Sequence, residues 1–238
     1  ASDFNQDIRS WNVSNVTNMD NMFNGATEFI DNYVVGITPT IDFFVLPLIN
    51  SNIKTAVEAW IDNSNTATIT YGVINVWDVS NITNMSNLFK DRSTFNDDII
   101  DWDVSNVTNM NDMFNNASDF NQDIRNWNVS NVTNMNDMFN SAIAFNQDIR
   151  NWNVSNVTNM NNMFNGATTF NQDIRSWDVS NVTTMNNTFS NAVAFNQDIR
   201  SWNVSNVTNM NNMFNGATTF LDNYVVGITP TIDFFVLP

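Results

Sequence analysis

The side chains with chemical reach fall into columns. Asp98, Asp123, Asp148, Asp173 and Asp198 recur every 25 residues, and Arg125, Arg150, Arg175 and Arg200 each follow an Asp by two positions. Like charges stacked one repeat apart repel, so pairing with the neighbouring column is the expected resolution. The same carboxylates, with Asn121, Gln122 and backbone oxygens, could instead assemble an all-oxygen calcium site, although their spacing matches no calcium motif. Asp101 and Asp103 flank Trp102 and make the best carboxylate pair for acid–base work. The equivalent slots one repeat on hold Asn126 and Asn128, which points to Asn/Asp drift on a solvated face. The chain has no His and no Cys. It therefore lacks the commonest general base, and thiolate chemistry and disulfides are excluded. No Gly-rich phosphate loop is present. The expectation is a protein that is not an enzyme, with no cofactor beyond the calcium alternative.

A further kind of site is modification. Asn-Val-Ser-Asn-Val-Thr supplies two N-glycosylation acceptors per repeat, for example Asn128 and Asn131. The competing reading is that these small polar residues fit a turn.

The charge balance limits the partners. Among 238 residues, 24 are acidic and 8 basic, for a net charge of −16. Such a chain cannot supply the clustered Lys and Arg that nucleic acid or anionic lipid requires. Asparagine alone accounts for 49 residues, yet the aromatic share of 13% is enough to build a core and excludes disorder. No apolar run reaches membrane-spanning length. The chain opens in mid-pattern and reads as an internal fragment.

The columns are positioned by a repeat. Trp77, Trp102, Trp127, Trp152, Trp177 and Trp202 are 25 residues apart, within the frame F-N-x-D-I-x-x-W-x-V-S-N-V-T-x-M-x-x-M-F-x-x-A. In each unit Ile124, Trp127 and Val129, or their equivalents, read as a short strand with the apolar side chains inward. Met135, Met138 and Phe139 fall at i, i+3 and i+4, one face of a short helix that Thr133 would cap. Such units bury their apolar edges only by stacking. The expected core of one unit is Phe145, Ile149, Trp152, Val154, Met160 and Phe164.

The segments W-N-V-S-N-V-T-x-M-x-x-M-F (Trp152 to Phe164) and F-N-Q-D-I (Phe145 to Ile149) resemble the BspA-like leucine-rich-repeat surface proteins, in particular the 25–26-residue subfamily of mycoplasma lipoproteins and Listeria-type surface proteins. The resemblance covers residues 1–29 and 77–219. It implies surface display, adhesion and host interaction, and no enzymatic mechanism. Ile149, Trp152 and Val154 fill the apolar slots of the leucine-rich frame. Val157 stands where that frame has Asn, so the inner turn must be satisfied differently.

Residues 30–76 leave the frame. Tyr33 to Pro39 and Ile41 to Leu46 are β-prone and bounded by prolines, which predicts an extended linker or edge strand. Ser51 could cap a helix whose apolar face is Ile53, Val57, Trp60 and Ile61, and Ala67 to Tyr71 alternates like a strand. A helix here would close the open end of the stack. Residues 192–238 repeat residues 1–47 with 42 of 47 identical, differing only at positions 2, 3, 20, 28 and 30. The simplest reading is a tandem array of 191-residue units.

The expected architecture is an α/β leucine-rich-repeat-like solenoid with parallel strands, an N-terminal helical cap and an extended β linker. Its parts are the end of a preceding solenoid (1–29), a linker (30–49), a capping helix and strand (50–76), about six repeats (77–219) and a linker to the next copy (220–238). Contacts between units are expected through Phe43, Phe44, Val45 and Leu46. The leading function is a structural segment of a large extracellular or cell-surface protein, a fibre or adhesive array whose partners are its own head-to-tail neighbours. The alternative is a binding module for a host protein or glycan, and a third reading is mineral or ice binding through polar ladders.

Overall fold

The computed structural model describes residues 3–9, 11, 13, 15–33, 35–224 and 226–236. Ala1, Ser2, Ser10, Asn12, Ser14, Val34, Val225, Leu237 and Pro238, which belong to the preceding-stack and linker segments assigned above, lie outside the described residues.

Six rungs begin at Trp77, Trp102, Trp127, Trp152, Trp177 and Trp202 and lie one on another. Like side chains meet like: Phe114 stacks on Phe139 at 5.6 Å between ring centroids, and Phe120 on Phe145 at 6.0 Å. Within a rung Phe139 and Phe145 stack at 3.9 Å. Phe145, Ile149, Met160 and Phe164 are fully buried, and Trp152 and Val154 are nearly so. Burying side chains of this size at every rung is the main source of stability.

The rungs are not the strands and helices expected. Among the described residues no sheet forms, and β pairing consists of single-residue parallel bridges, Asn84 with Asn109 through Thr184 with Asn209. The parallel-strand leucine-rich solenoid is overturned by this finding. Trp127 and Val129 do point inward with Asn128 outward, as in a strand. Turns interrupt the run on both sides, however, because Trp127 N–H donates to Ile124 C=O (3.1 Å) and Val132 N–H to Val129 C=O (2.9 Å). The Met-x-x-Met-Phe segment is likewise not helical. Met138 N–H donates back three residues to Met135 C=O (3.2 Å), but Met135, Asp137, Phe139 and Ser141 donate to the next rung, to the carbonyls of Asn159, Asn161, Met163 and Asn165. Asp137 (φ 55°) and Ser141 (φ 57°) are left-handed, as are their equivalents in the other rungs. A turn whose third residue has positive φ is type II, which favours Gly and Asn there. Each rung is thus a series of tight turns, and alternate N–H groups of the Met-x-x-Met-Phe segment bond to the following rung.

The stack begins with two helices, α2 (Ile53–Asp62) and α3 (Ser64–Tyr71). Ile53 and Val57 are buried on the first rung, and Trp60 meets Trp77 edge-on at 6.0 Å. The strand expected over Ala67 to Tyr71 is therefore a helix, with Ala67 turned into the core. Asn52, not Ser51, precedes α2; its side chain bonds Ile49 N–H and Pro47 C=O and so fixes the entry of the chain. A 3₁₀ turn at Ile74–Val76 leads into Trp77.

The segments assigned as extended linkers are compact caps. Helix α1 (Thr27–Tyr33) and a 3₁₀ turn at Ile41–Phe44 recur as α4 (Thr218–Tyr224) and Ile232–Phe235. Phe220 and Tyr224, one helical turn apart, lie on the same side with rings 4.6 Å apart. The chain then returns over the last rung. Phe214 N–H donates to Ile228 C=O (2.9 Å) and Asn212 N–H to the Thr229 hydroxyl (2.8 Å), replacing the rung that would follow. Phe23 with Ile37 and Asn21 with Thr38 make the same pair of bonds at 2.9 Å each. Bonding these N–H groups leaves fewer unpaired donors at the open edge.

Candidate functional site

The repeated polar face is a set of ladders, in which the same bond to an adjacent rung recurs every 25 residues. Asn131 Nδ2 donates to Ser105 C=O (2.7 Å), and Asn106, Asn156, Asn181 and Asn206 repeat this bond. Gln147 Nε2 donates to Asn121 C=O (2.8 Å), and Asn146 N–H to Asn121 Oδ1 (2.9 Å). Thr133 gives both its N–H (2.9 Å) and its hydroxyl (3.2 Å) to Thr108 C=O. Inside, the Trp152 indole N–H donates to Ile124 C=O (3.1 Å), and Trp127, Trp177 and Trp202 do the same with the Ile one rung down.

The two glycosylation candidates therefore differ. Asn131 is an inter-rung donor through its Nδ2, the atom a glycan would occupy. Asn128 is exposed and uses only Oδ1, which accepts Ser130 N–H (3.1 Å). That second arrangement needs an oxygen and nothing else, so Asp78, Asp103 and Asp178 serve equally in the same column. Asp103 is thereby turned onto Ser105 rather than toward Asp101. The Ser105 hydroxyl and N–H lower its pKa.

The acidic column pairs with the neighbouring basic column, as expected, and each pair forms within one rung. Arg125 meets Asp123 at 2.8 Å, Arg175 meets Asp173 at 2.8 Å and Arg200 meets Asp198 at 2.7 Å. The cause is local: Asp123 Oδ1 accepts Arg125 N–H (3.0 Å), and this turn folds the guanidinium back onto the carboxylate. Arg175 holds the Asp173 carboxyl at about 2, against an ordinary 3.8. The same contact lowers Asp123 and Asp198. These pairs are half-exposed, where an ion pair contributes little to stability. A shallow groove of about 440 Å³ runs between Arg150, Asp173, Arg175, Ser176, Asp198 and Ser201. Asn121 and Gln122, invoked for calcium, are engaged in the ladders, and among the described residues no group of three or more Asp or Glu side chains gathers around a common point.

The first rung shows what the ladders require. Asn50 Oδ1 accepts Thr83 N–H (3.0 Å) and Asn50 Nδ2 donates to the Thr83 hydroxyl (2.9 Å), replacing a rung below. Position 97 is Asp where the next four rungs have Gln, and its carboxylate accepts the Trp60 indole N–H (2.8 Å). Trp77 bonds Gly72 C=O (3.0 Å) in place of an Ile. Sequence reasoning found Trp60 through its apolar face but missed Asn50 and Asp97. The signal for Asp97 was present as a departure from the Gln that follows at 122, 147, 172 and 197.

Of the residues expected to join units, Phe43 packs against Phe23 and Phe29 at 5.6 and 5.8 Å, and Phe44 is buried. Val45 and Leu46 are half-buried and border a cleft of about 580 Å³ shared with Ile69, Tyr71 and Val76. Among the described residues no helix is long and apolar enough to cross a membrane.

The family model described as Mycoplasma protein of unknown function, DUF285, matches residues 1–36, 55–164 and 145–227. No curated protein matches the chain. With most of its length inside that match, the chain, with its 25-residue rungs and ladders, belongs to the DUF285 family.

Proposed function

We propose that this chain is a structural segment of a large extracellular or cell-surface protein, built from tandem 191-residue units and working as a fibre or adhesive array rather than as an enzyme. The observation that carries this reading is where the polar side chains go. In column after column they bond to the neighbouring rung, so the repeated chemistry serves stacking. The outward columns also lack the rung-specific departure that a single ligand would need: the Asn128 column holds only Asn or Asp, and the Ser130 column only Ser. The finer resemblance, to the 25–26-residue BspA-like surface repeats, supports the same placement.

The second reading is a binding module for a host protein or glycan. The groove along Arg150, Arg175 and Asp198 favours it, because alternating charges beside hydroxyls suit a polar ligand. Gold labelling of intact cells with antibody to this segment, viewed by electron microscopy, separates the readings. The expected result is external label at a regular axial interval. Label confined to the cell interior would overturn the proposal, and external label without regular spacing would favour the binding module.

A further inference from the structure

We propose that the outer surface of the C-terminal cap, centred on Val236, is a docking surface for helix α3 of a second copy of the unit. The inference deepens the array reading and rests on it for the identity of the occupant.

One peptide occurs twice in this chain with different surroundings. Residues 33–47 and 224–238 are identical in sequence. Both fold back over a rung through the same carbonyl bond, Ile37 to Phe23 and Ile228 to Phe214, each at 2.9 Å. Their inner sides match, since Phe44 and Phe235 are 2% and 6% exposed. Their outer sides do not. Val236 is 67% exposed, whereas Val45, the same residue of the same peptide, is half-buried.

What covers Val45 is the end of α3. Leu46 N–H donates to Thr70 C=O (2.8 Å), and Thr70 lies in the last turn, where helix carbonyls have no partner of their own. Val45 Cγ1 lies 3.7 Å from where a Cβ on Gly72 would stand, which places Val45 against the residue that ends the helix. Ile69 borders the same cleft. The helix reads SNTATITY and has no charged residue. In a molecule of net charge −16 that is the property an end-to-end contact needs, because an acidic helix would be repelled. An exposed Val is thus matched by a neutral helix end whose last-turn carbonyl accepts a linker N–H, and the chain displays that match once already.

Thiol labelling tests it, since the protein contains no Cys. Val45→Cys and Val236→Cys each give one reactive group. In the 238-residue chain the Val236→Cys thiol should react with a maleimide about tenfold faster than the Val45→Cys thiol, as expected of open against covered positions. Residues 48–238 are then appended after Pro238. The Val236→Cys rate should fall to the Val45→Cys rate, and Ile69→Asp in the appended unit should restore it. Equal rates in the original chain would overturn the proposal. So would a Val236→Cys rate unchanged in the extended chain, or one insensitive to Ile69→Asp. The joint can form in a protein that never reaches a cell surface, and a surface array can be a loose string without it, so this experiment and the gold labelling fail separately.

Discussion

An asparagine side chain has an accepting end and a donating end, and this molecule assigns them to different columns. Asn128 accepts with Oδ1 from Ser130 N–H, while Asn131 donates with Nδ2 to Ser105 C=O. Carboxylate oxygen can replace the first and not the second. Asn128→Asp should therefore leave unfolding free energy within about 0.5 kcal/mol, the usual range for neutral surface changes. Asn131→Asp should cost about 1 kcal/mol, the net value of one hydrogen bond. Urea denaturation of the two variants is the check, and equal effects would mean that the Nδ2 ladder has no weight. This division was legible in the sequence, because the first column already exchanges Asn for Asp at positions 78, 103 and 178 and the second keeps Asn at 106, 131, 156, 181 and 206. The indole ladder was not legible: a Trp that only fills the core and a Trp that also bonds Ile C=O recur with the same spacing.

At the scale of the element, the same apolar spacing serves two backbones. Met135, Met138 and Phe139 would lie on one face of a helix, and they also line the inside of consecutive type II turns. The turn residues distinguish the two. Asn87, Asp112, Asp137, Asn162, Asn187 and Asn212 all have positive φ, and the column four residues on holds Asp91, Asn116, Ser141, Gly166, Asn191 and Gly216 with the same sign. Asn, Asp and Gly are the residues that tolerate this region, so the two columns carried the information that the apolar pattern hid. Asn187→Gly should be nearly neutral, and Asn187→Val should destabilise by about 1–2 kcal/mol, the cost of left-handed backbone for an ordinary side chain. Thermal unfolding of the pair is the measurement, and a Val variant as stable as the Gly variant would contradict the turn assignment. Helix α2 was readable because its apolar face is continuous. Helix α3 was not, since its Thr-Ala-Thr-Ile-Thr alternation imitates a strand, and packing against α2 and Trp77 decides the outcome. The caps at α1 and α4 were misread for a related reason: β-prone residues such as Val226 and Ile228 return over a rung instead of extending away from it.

For the whole molecule, the bonds described at each end reach only the adjoining rungs. Asn50, Trp60 and Gly72 bond to or pack on residues of the first rung, and Ile228, Thr229 and Phe234 do so at the last. The middle of the stack is held by nearest-neighbour terms, as in other one-dimensional repeats. Removing residues 127–151 should therefore give a protein with unchanged circular dichroism per residue and a lower unfolding midpoint, because one rung interface is lost. Removing residues 127–152 should abolish cooperative unfolding, since a shift of one position would set each polar ladder against an apolar column. If both deletions behaved alike, register between rungs would not be what holds the stack. Length then becomes an integer that inheritance can change freely. Recombination between two rungs out of step by any whole number of repeats joins an Ile to a Trp at the correct distance, and the product meets the same two caps. Such a gene can lengthen or shorten in single steps without passing through an unfoldable form, so copy number is open to selection while the fold stays constant.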